Sequence, residues 1–351
     1  MTKRTRLFMG VALGVLVVGL GTGLVASYYG IPALAQLGGN GPAELAYVPA
    51  DARLVAFANV RDVMDSDLHR RIMDLRPKGS AASSDGGPDL FKEAGINIET
   101  DIDRVVASMS TGEGTDRDRP LLLARGRFDD DLIETLVRQR GGDVEAYKGK
   151  RLLALTQDGK PGALAFVEPD LVAVGTITSV KRAIDTKDGA SAGIVSNGEV
   201  MALVRDIDNG NAWAVGRFDA ISSQARLPQE VASKLPPINW FAATGHVNGG
   251  VDGLIRAEAR DEAAAQDLRQ VIQGFLALAR LQVGQNPQIR GLVNSLELGG
   301  TGKTVSLSFS LPADAIDALA ALRNQQRREA PGSDRPAPRR PRTAAPALPR
   351  T

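Results

Sequence analysis

A run of 23 residues without a charged side chain, Leu7–Tyr29, lies near the start of this 351-residue chain. As a helix it would extend about 34 Å, enough to cross a bilayer core about 30 Å thick. Residues 1–6 contain three basic side chains and no acid, whereas Glu44 is the only charge between the run and residue 50. The positive-inside rule therefore predicts a cytoplasmic N-terminus at 1–6, a transmembrane helix at 7–29, and the body outside the cytoplasm.

A cleaved signal peptide is the alternative interpretation of this segment. Ala33, Leu34 and Ala35 precede Gln36 and fit the small-x-small pattern of a cleavage site. Cleavage near Ala35 would give a secreted, soluble binding protein. The apolar run is longer than the signal core of about 7–15 residues, which favours an uncleaved anchor.

Small residues recur at a spacing of four within the predicted membrane helix. Gly10 and Gly14 form one such pair, and Gly19 and Gly23 form another. This spacing lets two membrane helices approach closely. The four glycines are therefore a candidate helix-association face.

The composition excludes several classes of chemistry. The chain has no cysteine, which excludes disulfides, cysteine-ligated zinc, iron–sulfur centres and thiol catalysis. Its two histidines, His69 and His246, are 177 positions apart, which disfavours a multi-histidine metal site. Lys plus Arg number 42 and Asp plus Glu number 41, a balance that disfavours nucleic-acid binding by the chain as a whole. We predict no cofactor and no metal site.

The body combines strand and helix patterns. Residues 30–43 form a linker that contains glycine and proline. Groups of strands joined by short turns, with helices between the groups, predict an α+β fold with mainly antiparallel sheets. Strands are predicted at 53–59, 102–109, 120–124, 152–155, 163–167, 171–174, 211–215, 240–247, 253–260, 292–298 and 304–311. Helices are predicted at 60–75, 90–94, 129–139, 179–185, 262–283 and 313–327.

A tetrapeptide suggests an internal duplication. The sequence Gly-Arg-Phe-Asp at 126–129 recurs at 216–219, and a helical stretch and strands follow each copy. We therefore predict two α+β units, residues 44–200 and residues 201–322.

The C-terminal segment 323–351 differs in composition from the body. It contains eight arginines, two acids and six prolines, so its net charge is near +6 and we predict a disordered tail with polyproline character. The net charge of the whole chain is +1, which leaves about −8 on residues 7–322. Contact with anionic lipid or polymer is the partner hypothesis for the tail, and nucleic acid is disfavoured on the predicted side of the membrane. The candidate contact residues are Arg335, Arg339, Arg340 and Arg342.

Two glycine-rich motifs resemble catalytic or nucleotide-binding loops. Ser191 is the central residue of a G-x-S-x-G sequence at 189–193, but charged helical residues precede it where a hydrolase needs a buried strand. We predict a connector into a helix with a capping box of Ser196 and Glu199. The segment 299–304 resembles a phosphate-binding loop, but an alternating strand pattern follows it instead of a helix, which predicts a hairpin turn.

Three consecutive acids at 129–131 complete the set of candidate sites. Calcium loops space their ligands at alternate positions, whereas consecutive acids before an apolar helical pattern predict a helix cap and first-turn charges. We therefore predict no metal-ligating residue and no catalytic residue in the chain.

Three segments carry a family resemblance: residues 45–51 (LAYVPAD), residues 146–149 (AYKG) before a strand, and residues 171–175 (LVAVG) leading into 180–185. They resemble a loose class of uncharacterised bacterial membrane-anchored envelope proteins with a repeated α+β ectodomain. The resemblance implies an N-terminal membrane segment followed by a repeated α+β ectodomain, and it supplies no activity and no functional residue. With the orientation given by the positive-inside rule, we expect a single-pass protein of the bacterial inner membrane with its body outside the cytoplasm. We therefore expect a non-catalytic binding or scaffolding component with an envelope protein as partner. An enzyme, such as a hydrolase of unrecognised type, is the remaining alternative.

Overall fold

The structure is a computed structural model. It describes residues 41–67, 69–70, 95–111, 118–157, 160–207, 210–219, 236–247, 249–282, 291 and 293–312. The predicted segments 1–6, 7–29 and 323–351 lie outside the described residues, as does the linker before residue 41. Among the described residues, no helix combines the length and the apolar character needed to cross a bilayer.

Within the described part of the chain, twelve strands form one antiparallel sheet, which confirms the predicted α+β class with a mainly antiparallel sheet. The strands are β1 (Ala52–Asn59), β2 (Ile102–Thr111), β3 (Asp118–Gly126), β4 (Asp143–Tyr147), β5 (Lys150–Gln157), β6 (Lys160–Glu168), β7 (Leu171–Gly175), β8 (Ala212–Arg217), β9 (Ile238–Val247), β10 (Gly250–Ala259), β11 (Glu297–Gly299) and β12 (Thr304–Pro312).

Helices lie between groups of strands. They are α1 (Val60–Met64), α2 (Ile98–Asp101), α3 (Asp130–Gln139), α4 (Ile177–Lys187), α5 (Gly198–Ile207) and α6 (Glu262–Gln282). Short 3-10 helices cover Ala43–Tyr47 and Ile194–Ser196.

The strand order is nearly symmetric about its centre. It runs β11-β12-β10-β9-β8-β1-β2-β3-β7-β6-β5-β4. The central pair is β8 and β1. Counted outward from it, one half runs β8, β9, β10, β12 and β11, and the other half runs β1, β2, β3, β7 and β6. Strands at the same place in these two series correspond. In each half a helix, α3 or α6, follows the third strand, and a later strand returns to pair with that strand.

The predicted unit boundary and the repeated tetrapeptide do not coincide with this symmetry. The boundary between residues 200 and 201 falls inside α5. The first tetrapeptide begins at the last residue of β3, which is the third strand of its half. The second begins within β8, the first strand of the other half. The two copies therefore occupy different places in the strand order.

Helices cover both faces of the sheet. We call face A the side that carries Val55 and Trp213, where the first 3-10 helix, α4 and α5 contribute to one large apolar core. Face B is the other side. There α3 packs on the first half through Ile133 and Val137, and α6 packs on the second half through a smaller core.

The start of α5 differs from the prediction. Asn197 caps the helix, because its side-chain oxygen accepts a hydrogen bond from the backbone N–H of Val200 at 3.2 Å. The Ser196 hydroxyl instead donates to the backbone carbonyl three residues earlier. The carboxylate of Glu199 accepts from the indole N–H of Trp240. The capping box predicted for Ser196 and Glu199 is therefore wrong.

Two predicted elements have different bounds. The strand predicted at 292–298 is wrong over its first half, because residues 293–295 are helical and the strand covers only 297–299. The helix predicted at 60–75 is interrupted: α1 ends at Met64, residues 65 and 66 form a turn and a bend, and residues 67, 69 and 70 are helical again, while 71–75 lie outside the described residues. The predicted hairpin turn after Gly299 is confirmed, and Gly300 and Gly302 adopt positive φ angles of 94° and 56° there.

Candidate functional site

The site residues predicted from the sequence lie outside the described residues. These are the candidate helix-association glycines Gly10, Gly14, Gly19 and Gly23, and the candidate anionic-surface contacts Arg335, Arg339, Arg340 and Arg342. Both sets stay predictions.

The structure describes Ser191 and Asp129, two residues of the motifs considered in the sequence. Ser191 lies in the loop after α4, where its backbone N–H donates to the carbonyl of Asp185. Asp129 caps α3 by accepting the N–H of Leu132 at 2.9 Å. No group of three or more His, Asp or Glu side chains among the described residues is arranged to hold a metal ion.

A cluster of charged side chains around Arg125, at the C-terminal end of β3, is the most extensive polar arrangement that we identify on face A. Its guanidinium donates three hydrogen bonds to three different carboxylates. Nε donates to Glu44 at 2.5 Å, and the two terminal nitrogens donate to Glu168 at 2.7 Å and Asp170 at 2.6 Å. Such charge-assisted bonds are about twice as strong as neutral ones. We call these four residues together with Tyr47 and Lys187 the Arg125 cluster.

Glu44 brings the start of the described chain into this cluster. Its side chain has 0% exposure, and its second oxygen, Oε2, is buried without a hydrogen-bond partner in the described part of the chain. The side chain of Arg125 is 15% exposed. A buried carboxylate of this kind depends on its cation, because losing the pair would leave a charge in a medium that solvates it poorly.

Tyr47 and Lys187 extend the cluster. The Tyr47 hydroxyl donates to Glu168 at 2.9 Å, and the ammonium of Lys187 lies 4.9 Å from the centre of the Tyr47 ring. Burial and the hydrogen bond to Glu168 both raise the pKa of Tyr47. The side chain therefore stays a neutral donor at any physiological pH.

Two carboxylates of the cluster, those of Glu168 and Asp170, have lowered pKa values. Burial opposes ionisation of Glu168, but the hydrogen bonds from Arg125 and Tyr47 outweigh it and lower its pKa. The hydrogen bond from Arg125 is also the main reason why the pKa of Asp170 is lowered. The charged groups of the cluster are therefore paired with one another through hydrogen bonds and ion pairs.

A second polar group lies where α4 meets the β4–β5 hairpin. Asp185 accepts from the Tyr147 hydroxyl at 3.1 Å and pairs with the ammonium of Lys148 at 2.5 Å. The hydrogen bond from Lys148 lowers the pKa of Asp185. Lys148 and Gly149 form the hairpin turn with φ angles of 49° and 76°. This group fixes the end of the sheet to the helix above it.

A shallow depression on face A is lined by Pro49, Ser110, Leu121, Ser179 and Arg182, and its cavity volume is about 10 Å³. Pockets for small ligands usually measure about 300–1,000 Å³. The guanidinium of Arg182 pairs with Asp51 at 2.7 Å. This depression is therefore too small to hold such a ligand.

Sequence reasoning did not find the Arg125 cluster. Glu44 and Arg125 are 81 positions apart, and no local motif links them. One signal was present: Glu44 is the only charge between the apolar run and residue 50. An isolated acid in an apolar context needs a partner when it is buried.

Comparisons with known proteins give a distant structural likeness. No protein-family model and no curated protein matches the sequence. Two solved structures of a protein designated TP0453 resemble the chain at 10% sequence identity. Crystal form III covers 79% of this chain and 97% of its own with a TM-score of 0.44, and form IV covers 78% and 95% with 0.43. At this level the likeness carries no inference about function.

Proposed function

We propose that this chain is a single-pass membrane protein with a cytoplasmic N-terminus, and that its α+β body binds or organises other components of a bacterial cell envelope without catalysis. The body lies outside the cytoplasm, at the inner membrane. Its partners are the membrane itself and an envelope protein, and its basic tail contacts anionic lipid or polymer.

The observation that carries this proposal is the connection between the predicted anchor and the body. The uncharged run ends at Tyr29, and Glu44 follows 15 residues later. Glu44 binds Arg125, and Leu45, Tyr47 and Val48 beside it are buried in the core. A body whose core begins this soon after the predicted membrane helix suits a protein that presents a binding surface near the membrane.

The strand order supports a finer proposal about the body. We infer that the two halves of the sheet descend from one duplicated unit, because five successive strand places correspond on either side of the boundary between β1 and β8. A duplicated scaffold presents two related surfaces to its partners. Substitutions can accumulate independently on each of these surfaces.

The anchor and its orientation are tested by single-cysteine labelling, since the native chain has no cysteine. Thr2→Cys and Ser196→Cys variants are expressed in cells and treated with a membrane-impermeant maleimide before and after lysis. Labelling of residue 196 in spheroplasts but of residue 2 only after lysis is expected, with the protein retained in carbonate-washed membranes. A soluble product that begins at Gln36 would contradict the anchor and support the secreted alternative.

The binding role is tested by cross-linking in cells. The tagged full-length protein is purified from solubilised membranes beside a version that ends at Leu322. A specific protein recovered with both versions supports scaffolding through the folded body, and one lost with the tail assigns the contact to residues 323–351. Recovery of no envelope protein with either version would contradict the scaffold proposal.

A further inference from the structure

Face A differs between the two halves of the sheet. In the first half, the side chains of β3 and β7 that point to face A include Leu121, Leu123 and Leu171, and they are buried in the core beneath α4. The corresponding strands of the second half are β10 and β12. Their side chains on face A are mostly polar, and Glu297 of neighbouring β11 lies on the same side. The residues are Asp252, Leu254, Arg256, Glu258, Glu297, Thr304, Ser306, Ser308 and Ser310.

We call this surface the polar sheet face. The register defines it, because directly paired residues of antiparallel strands point to the same side. Asp252 pairs with Ser310, Glu258 with Thr304, and Glu297 with Ser308. Asp252, Ser310 and Glu297 are exposed. A hydroxyl-rich face of this kind cannot bury a helix as the leucine-rich face of the first half does.

The polar sheet face is acidic. Arg256 pairs with Asp206 of α5 at 2.7 Å, so its charge is already matched. The carboxylates of Asp252, Glu258 and Glu297 make no ion pair to any residue in the part of the chain that the structure describes. Together these five residues carry a net charge of −3.

The chain itself supplies a cationic segment that follows this face in the sequence. Strand β12 ends at Pro312, which pairs with Gly250 beside the row that contains Asp252. Arg335 follows 23 residues later, a length of chain that reaches any point on the sheet. Asp252 and Glu258 are six residues apart on β10, about 20 Å. Arg335 and Arg342 are seven residues apart, about 22 Å in polyproline geometry.

We propose that the arginine-rich tail of this chain, residues 335–342, docks on the polar sheet face of the same chain. The guanidinium groups contact the carboxylates of Asp252, Glu258 and Glu297, and the serine hydroxyls accept further hydrogen bonds. Arginine suits this role because its planar fork binds carboxylates in a bidentate manner. The contact lies within one chain and does not depend on the membrane anchor.

The proposal has a functional consequence for the tail. The same arginines cannot bind the body and an external polyanion at the same time. The polar sheet face therefore competes with anionic lipid or polymer, and the tail becomes available when such a partner outcompetes the face.

Cross-linking between introduced cysteines tests the contact in the full-length protein. Ser310→Cys and Ala337→Cys are combined in one chain, purified in detergent and treated with a short bismaleimide. The expected product is an intrachain link between residues 310 and 337, identified by mass spectrometry. The control pairs Ala337→Cys with Leu132→Cys on α3, which covers face B, and it should react several-fold more slowly.

Charge variants test whether the opposite charges of the tail and the polar sheet face cause the cross-link between residues 310 and 337. Asp252→Lys, Glu258→Lys and Glu297→Lys together should lower the linking rate roughly fivefold, the combined effect of three ion pairs at the surface. The matched control changes the charge equally at Glu99, Asp131 and Asp143, which lie outside the face, and should leave the rate unchanged. High salt should also slow the link by screening.

A variant in the tail keeps the test independent of folding of the body. Replacing Arg335, Arg339, Arg340 and Arg342 by Glu leaves the sheet untouched and should lower the rate to the same extent. Combining it with the three Lys substitutions should restore the link. A rate insensitive to either set, or a link formed only between two differently tagged chains, would overturn the proposal.

Discussion

Removing the guanidinium of Arg125 should destabilise the protein more than removing both Arg125 and Glu44. In the Arg125→Met variant, the fully buried carboxylate of Glu44 loses its 2.5 Å donor. Breaking a buried ion pair from one side costs about 3–5 kcal/mol of the free energy of unfolding. In Glu44→Leu, the guanidinium keeps Glu168 and Asp170, so the expected cost is only about 1–2 kcal/mol.

The double variant Glu44→Leu/Arg125→Met separates the two contributions. It removes the buried charge and its partner together and places apolar side chains in a core that already contains Leu45 and Val48. Its stability should lie within about 1–2 kcal/mol of the wild type, because replacing both partners avoids an unpaired buried charge.

Urea unfolding of the full-length protein in detergent measures these differences. Trp213 and Trp240 are both buried and report unfolding of the central strands by fluorescence. Arg138→Met serves as the control, because its pair with Glu134 is an exposed i,i+4 contact worth at most about 0.5 kcal/mol. If the double variant unfolds at the same urea concentration as Arg125→Met, the reasoning about the buried charge is refuted.

Acid should reduce the difference between the wild type and Arg125→Met. Arg125 lowers the pKa values of Glu168 and Asp170 below their ordinary values of 4.5 and 3.8. Groups with a lowered pKa in the folded state stabilise it above the unfolded pKa and lose this effect as the pH falls through the folded pKa. The difference in urea midpoint between the wild type and Arg125→Met should therefore reach its full value at pH 7 and become smaller below about pH 4. An equal gap at about pH 3 would contradict the assignment.

Three further substitutions follow from local geometry, and urea midpoints check each of them. Asp129→Ala should cost about 1 kcal/mol through loss of the α3 cap, and Asp129→Asn should cost much less. Gly149→Ala should cost about 1–2 kcal/mol from its φ of 76° alone, since no atom lies within 4 Å of the added carbon. Gly198→Ala, also in open space but without a positive φ, is the matched control and should not destabilise. Gly253→Ala places a carbon 2.3 Å from the Phe309 ring and should cost about 1–3 kcal/mol, partly recovered by Phe309→Leu. A neutral Gly253→Ala would show that the ring moves without strain.

The sequence predicts strands well where apolar and polar residues alternate. The pattern at 304–311 places Val305, Leu307 and Phe309 on one side and serines on the other, and β12 is found there with this arrangement. Strand β4 was not predicted, because the alternation in its sequence DVEAY covers only four positions and includes one large aliphatic residue, Val144. It exists because the turn at Lys148 and Gly149 folds it back on β5, which is an effect of backbone geometry.

Short apolar segments are ambiguous without their tertiary surroundings. Val293 and Leu296 suit a strand by composition, but they are three positions apart and both are buried, which fits one face of a helical turn. The cap of α5 shows the same limit. Ser196 and Asn197 are both good capping residues, and only the bend of the chain after the second 3-10 helix selects Asn197.

Long-range organisation could not be derived from the sequence. The pairing of β1 with β8 joins residues about 160 positions apart, and no local pattern encodes it. The Arg125 cluster depends on the same organisation, since β3, the β6–β7 turn and the first 3-10 helix meet only in the folded sheet. The repeated tetrapeptide does not align the two sides of the sheet, because its two copies lie at different places in the strand order.

The place of β1 has a mechanical consequence. Any pulling force that reaches the body through the residues before Gly41 first meets the buried 3-10 helix and its hydrogen bond to Arg125. The next element along the chain is β1, a central strand that is hydrogen-bonded to β2 on one side and to β8 on the other. The chain cannot be peeled away at this end as an edge strand could be, because both hydrogen-bonded ladders must yield together. Tension applied at this end would therefore have to break the contacts of the 3-10 helix and both ladders of β1 before the sheet unfolds.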